Sequence, residues 1–216
     1  MWRIDIVADA IAAVLVAQEA AHRNERAVYG IDSLNELALH ALIASGLTEA
    51  YSVAREVHYP SATNPKLTHR QRCDLVLTPV GRPLRIDSKP ATLFDPPDQA
   101  TPSEAMWLEL KIAYQFREGG VRHGGYSSQW RNDVVKDLQK IEAEPLIHSA
   151  ALCLIVFTES SQVVSKDIEL FEDVLVRKEV LAGFRAVRHV ELWNRIGHEI
   201  CTVALWPTLQ RAEATT

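Results

Sequence analysis

Residues 107–111 read WLELK, an apolar pair followed by a glutamate and a lysine with one leucine between them. Side chains alternate across a strand. Glu109 and Lys111 therefore share one face, and Leu108 and Leu110 share the other. Two opposite charges framed by core residues are either an ion pair on an exposed strand, weak at under about 1 kcal/mol, or half of a charged site. The neighbourhood decides between them.

Downstream, 151–157 (ALCLIVF) is apolar throughout, as a central strand buried on both faces requires. Between the two lie glycines 119, 120, 124 and 125 and then a polar segment, which predicts a helix from about 129 to 142 capped by Ser127 or Ser128. Upstream, CDLVLTPVGRPLRI (73–86) reads as strand, Pro/Gly turn and strand, with Asp74 opening the first. The stretch 87–105 carries Pro90, Pro96, Pro97 and Pro102 and is expected to loop out. Residues 51–59 form a strand ended by Pro60. Before it, Gly30, a cap at Asp32 or Ser33, a leucine-rich stripe and Gly46 delimit a helix. On that helix Glu36 and His40 stand four residues apart. An alanine-rich helix from about 5 to 27 opens the chain. A helix near 163–181 and two strands, 188–193 and 199–206, close it. The pattern predicts an α/β chain with a central mixed sheet flanked by helices.

Length and composition bound this reading without choosing a function. The 216 residues suit one domain, 47% hydrophobic and 24% charged, with net charge −5. No global positive field advertises nucleic acid, which leaves room only for a locally basic cleft. The basic groupings are Arg70 and Arg72 before the Asp74 strand, Arg122 with His123, and Arg131. Three cysteines without CxxC spacing read as reduced core residues, and the eight histidines show no zinc spacing. The run 10–17 is too short to span a bilayer, so no membrane contact and a cytoplasmic location are expected. Trp193 and Trp206 are assigned to the core. No P-loop, dinucleotide fingerprint or nucleophile elbow is present.

Asp74 and Glu109 both interrupt apolar strands, where an unpaired carboxylate costs several kcal/mol, about the penalty for burying any lone ion. A hard divalent cation between them removes the conflict, with Mg²⁺ the expected ion and Mn²⁺ able to substitute. Lys111 then supplies a fixed positive charge to orient water or stabilise a phosphorane-like transition state. Asp87 and Lys89 form a competing DxK, disfavoured because Ser88 and Pro90 are poor interior strand residues.

Asp74 followed by Glu109-Leu110-Lys111 resembles the signature of the PD-(D/E)XK nucleases, which have a restriction-endonuclease-like fold. The order of helix with Glu36, strand ending near His58, Asp74 strand, Glu109/Lys111 strand, polar helix and apolar strand is similar to that family's αβββαβ core. The resemblance covers about residues 30–160 of a single domain spanning 1–216, with the flanks as embellishments. Cys73 stands where the motif's proline is usual, and the Asp74–Glu109 separation is long. The resemblance implies a Mg²⁺-dependent endonuclease hydrolysing phosphodiester bonds, with DNA as substrate. Asp74, Glu109 and the Ile112 carbonyl would hold metal, Lys111 would act on water, and Glu36 would support a second metal. Gln129 and Lys136 on the later helix, with Arg72 and Arg122, would contact substrate. Duplex cleavage with one site per chain implies a homodimer or two successive nicks. Competing readings are a non-catalytic nucleic-acid or protein-binding module on the same fold, or a metal-dependent hydrolase of a small phosphorylated substrate.

Overall fold

The computed structural model describes residues 2–60, 72–85, 98–193 and 195–208. Its centre is a six-stranded mixed sheet. The strands are β1 (Tyr51–His58), β2 (Arg72–Pro79), β3 (Met106–Tyr114), β6 (Ser149–Thr158), β7 (Ala186–Glu191) and β8 (Ile200–Pro207). Their order across the sheet is β1-β2-β3-β6-β8-β7. A two-stranded ribbon, β4 (Phe116–Arg117) with β5 (Val121–Arg122), stands apart from the sheet. β1, β2 and β3 form an antiparallel meander, and β3 runs parallel to β6. The β3–β6 crossover is made by α3 (Tyr126–Glu142), since parallel neighbours need a long connection.

Both faces of the sheet are covered. α1 (Ile4–Asn24) sets Val7, Ile11 and Leu15 on one face, with α2 (Glu36–Gly46) beside it. These residues bury against Leu75, Leu108, Leu110, Cys153, Phe157 and Val203. On the other face α3 and α4 (Ser161–Arg177) pack Trp130, Val134, Leu138, Ile168 and Phe171 against Leu152, Leu154, Val156 and Trp206. β6 contributes alternately to both clusters, which is why its whole run is apolar. All three cysteines are free and buried, and burial pushes the Cys153 thiol up to about 12.

Several sequence expectations are corrected. The α2 cap is Asn35, whose Oδ1 accepts from the Ala38 amide at 2.9 Å, and Ile31–Ser33 form a 3₁₀ turn instead. α3 begins at Tyr126, ahead of both serines, with no side-chain cap. After the Gly81 turn there is no second strand among the described residues. Pro79 and Pro83 interrupt the backbone donors, and only a single bridge joins Leu84 to Ala100. Trp193 is 51% exposed, whereas Trp206 is core. No helix among the described residues is long and apolar enough to cross a membrane.

Candidate functional site

The site forms where β2 and β3 part. Their ladder ends at Leu75–Leu108, and continuing that register sets Asp74 opposite Glu109. Beyond the last pair, Asp74 Oδ2 replaces the missing strand partner by accepting from the Leu110 amide at 2.7 Å. The long excursion in sequence thus brings the two carboxylates next to each other. On the other flank, continuing the β1–β2 register sets Glu56 opposite Asp74. Glu56 has a left-handed backbone (φ 52°), a conformation that costs a non-glycine residue about 1 kcal/mol or more.

His40, from the middle of α2, completes this side. One ligand atom each from His40, Glu56 and Asp74 lies within 4.8 Å of the others. His40 is 7% exposed, and its Nε2 has no hydrogen-bond partner; Glu36 Oε1 is 3.9 Å away. Burial lowers the His40 pKa, which favours the neutral ring a ligand requires.

Glu109 and Lys111 point to the α3 face but do not pair with each other. Lys140 Nζ lies 2.5 Å from Glu109 Oε1, and the Tyr59 hydroxyl donates to the same oxygen. The Tyr59 ring stacks on Trp107, and Lys140 sits over that ring at 4.9 Å. Lys111 Nζ meets Asp137 Oδ2 at 3.3 Å. Burial raises the Glu109 pKa and the Asp74 charge raises it further, against the pull of Lys140 and Tyr59. Burial also raises Asp74, opposed by the Leu110 amide, Glu109 and Lys111. For Lys111, burial alone would lower the pKa, but Asp137, Glu36 and Asp74 outweigh it and the net shift is upward. The result is a protonated lysine beside carboxylates that are costly to keep ionised without a further cation.

A cavity of about 840 Å³ opens beside this centre, and Glu36, Lys111 and Ile112 line it. The structure therefore groups Asp74, Glu109, Lys111 and Glu36. Three further candidates are exposed. Lys136 is exposed and pairs with Asp133 at 3.5 Å, and Arg122 pairs with Glu159 at 2.7 Å. Arg72 is exposed opposite His58 in the ladder. The Gln129 side chain, Arg70, Asp87 and Lys89 lie outside the described residues.

Five participants escaped the sequence reading: His40, Glu56, Tyr59, Asp137 and Lys140. The four-residue spacing of Glu36 and His40 signalled one of them. Asp137 and Lys140 flank the apolar Val134, Leu138 and Ile141 of α3, so they sit at the margin of its buried face. Glu56, on a strand beside Arg55, reads in the sequence as a surface charge, because its position here depends on a backbone conformation. No family model, curated protein or solved structure matches the chain.

Proposed function

We propose that the chain is a metal-dependent nuclease of the PD-(D/E)XK type that hydrolyses phosphodiester bonds, with DNA as its expected substrate. The observation that carries the reading is the meeting of His40, Glu56 and Asp74 donors within 4.8 Å at the break in the β2–β3 ladder, with Lys111 at the same break. The element order α2-β1-β2-β3-α3-β6 supports it as well.

The donor set fits a divalent cation. It offers carboxylate oxygens whose pKa values are raised chiefly by burial, and a buried imidazole nitrogen lacking a partner. Asp74, Glu56 and His40 would hold the ion, with Glu109 adjoining. The imidazole favours Mn²⁺ alongside Mg²⁺, because a purely hard site would be built of oxygens. When bound, the ion supplies Lewis-acid polarisation of a phosphoryl oxygen and a more acidic water. Lys111 lines the cavity, is anchored by Asp137, and would stabilise charge developing on the phosphate. Glu36 stands at the same wall and orients water. Tyr59 and Lys140 fix the Glu109 rotamer, so the carboxylate needs no reorganisation during reaction.

The test is incubation with duplex, nicked and single-stranded DNA in Mg²⁺, Mn²⁺ or EDTA. Cleavage is expected only with metal and should fall at least about 100-fold in Lys111→Ala and Asp74→Asn, the scale of losing one transition-state donor. Cleavage that survives EDTA, or is undiminished in both variants, overturns the reading. The cavity volume favours one second reading, hydrolysis of a small phosphate ester, which is distinguished by whether nucleic acid competes.

A further inference from the structure

The lining of the cleft beside Lys111 includes five aromatic residues: Tyr29, Tyr114, Phe116, Tyr126 and Trp130. They come from four separate parts of the chain. Tyr29 follows α1, Tyr114 ends β3, Phe116 belongs to the β4–β5 ribbon, and Tyr126 and Trp130 start α3. Tyr29 is 60% exposed, a ring left open at the rim. Trp130 is 4% exposed and its indole N–H has no hydrogen-bond partner.

The wall itself is held firmly. His198 is fully buried and accepts from the Phe116 amide through Nε2 at 3.0 Å, so its Nδ1 carries the proton and donates to Asp32 at 3.0 Å. The Tyr114 hydroxyl donates to the Leu34 carbonyl, and the Phe116 ring lies 3.1 Å from where a Cβ on Gly197 would stand.

Charge in the cleft is mixed. Lys111, Arg117 and His123 face Asp32, Glu36 and Asp133, of which Asp32 is bonded to His198 and Asp133 paired with Lys136. Such a wall makes no continuous track for a phosphate backbone, and a chain of net charge −5 adds no attracting field. Without such a track, the open Tyr29 ring offers stacking as a source of binding energy. Bases inside a duplex hide their faces in the stack. An unpaired base offers both faces to aromatic side chains, at about 1–3 kcal/mol per base.

We propose that this cleft binds an unpaired nucleobase, so the chain engages single-stranded segments or frayed ends and not the interior of a duplex. The proposal rests on the nuclease reading for placing the neighbouring phosphate at Lys111, but the stacking is measurable without any reaction. The experiment is fluorescence anisotropy in EDTA, using a labelled mixed-sequence strand of about 12 nucleotides, free or annealed as a blunt duplex. The free strand is expected to bind at least about 10-fold tighter than the duplex. Tyr29→Ala is expected to weaken single-strand binding at least about 5-fold, while Tyr29→Phe retains it. Phe184→Ala removes a 99% exposed ring outside the cleft and should change nothing. Equal or tighter duplex binding, or a Tyr29→Ala protein that binds as wild type, overturns the proposal. If no substrate is cleaved with any metal while the Tyr29-dependent preference persists, the nuclease reading falls and the cleft assignment stands. Metal-dependent cleavage without that preference keeps the nuclease reading and overturns the cleft assignment.

Discussion

Glu56 combines an unfavourable backbone with a place among potential metal ligands. Its left-handed backbone is unfavourable for any L side chain, yet it brings the carboxylate to Asp74 and His40. Local strain of this kind tends to gather at functional sites. Glu56→Gly is therefore expected to stabilise the metal-free protein by about 1 kcal/mol in denaturant titration, since glycine carries no penalty there. The same variant should weaken Mn²⁺ binding by at least about 10-fold in calorimetry, the scale on which site partners matter. A variant that is both less stable and unchanged in affinity would show that the backbone turn serves only the fold. Glu109 and Lys111 make the complementary point: they share a strand face as alternation requires, but each is claimed by α3.

Among the elements, α1 carries an ionic anchor away from the site. Glu19 is 2% exposed, pairs with Arg195 at 2.9 Å and accepts from the Trp193 amide at 3.1 Å. Burial alone would raise its pKa, but Arg195 and the Trp193 and Ile31 amides outweigh burial and the net shift is downward. A carboxyl lowered in the fold contributes stability that is present above its unfolded pKa of about 4.3 and lost as pH falls through the folded value. Acid unfolding should therefore include this group, and the pH dependence of the midpoint below about pH 4.5 should be shallower in Glu19→Gln. Glu19→Ala strands the Arg195 guanidinium, which is 9% exposed, and is expected to cost about 3–5 kcal/mol in chemical denaturation. α3 plays a different part. One turn of it supplies Asp137 and Lys140 to β3, while its apolar stripe closes the second face of the sheet.

For the molecule as a whole, the site joins elements far apart in sequence. His40 comes from α2, Glu56 from β1, Asp74 from β2 and Lys111 from β3. An ion that binds only this assembled arrangement must stabilise the entire fold. At a concentration about 100 times its Kd it should add about 2.7 kcal/mol. For a domain of this length that corresponds to a rise in Tm of roughly 5–11 °C. Thermal melts with Mn²⁺ and with EDTA should differ by that amount in the wild type and coincide in Asp74→Asn. An equal metal response in the variant would place the ion elsewhere.

Periodicity and composition alone determined the α/β class, the principal helices, the strands at Tyr51–His58, Arg72–Pro79 and Met106–Tyr114, the buried cysteines and the two-sided burial of 151–157. These are properties of contiguous residues, in which alternation and helical spacing record which face is dry. The pairing of Asp74 with Glu109 was legible only as an order of motifs, because sequence separation says nothing about the register of two strands. Only the tertiary structure decided that the β2–β3 ladder stops at Leu75 and leaves the Leu110 amide to Asp74. It also decided that Glu56 turns through positive φ, and that His40 enters the carboxylate group with a free nitrogen. Each depends on backbone path and on contacts between distant segments, neither of which a local pattern of side chains encodes.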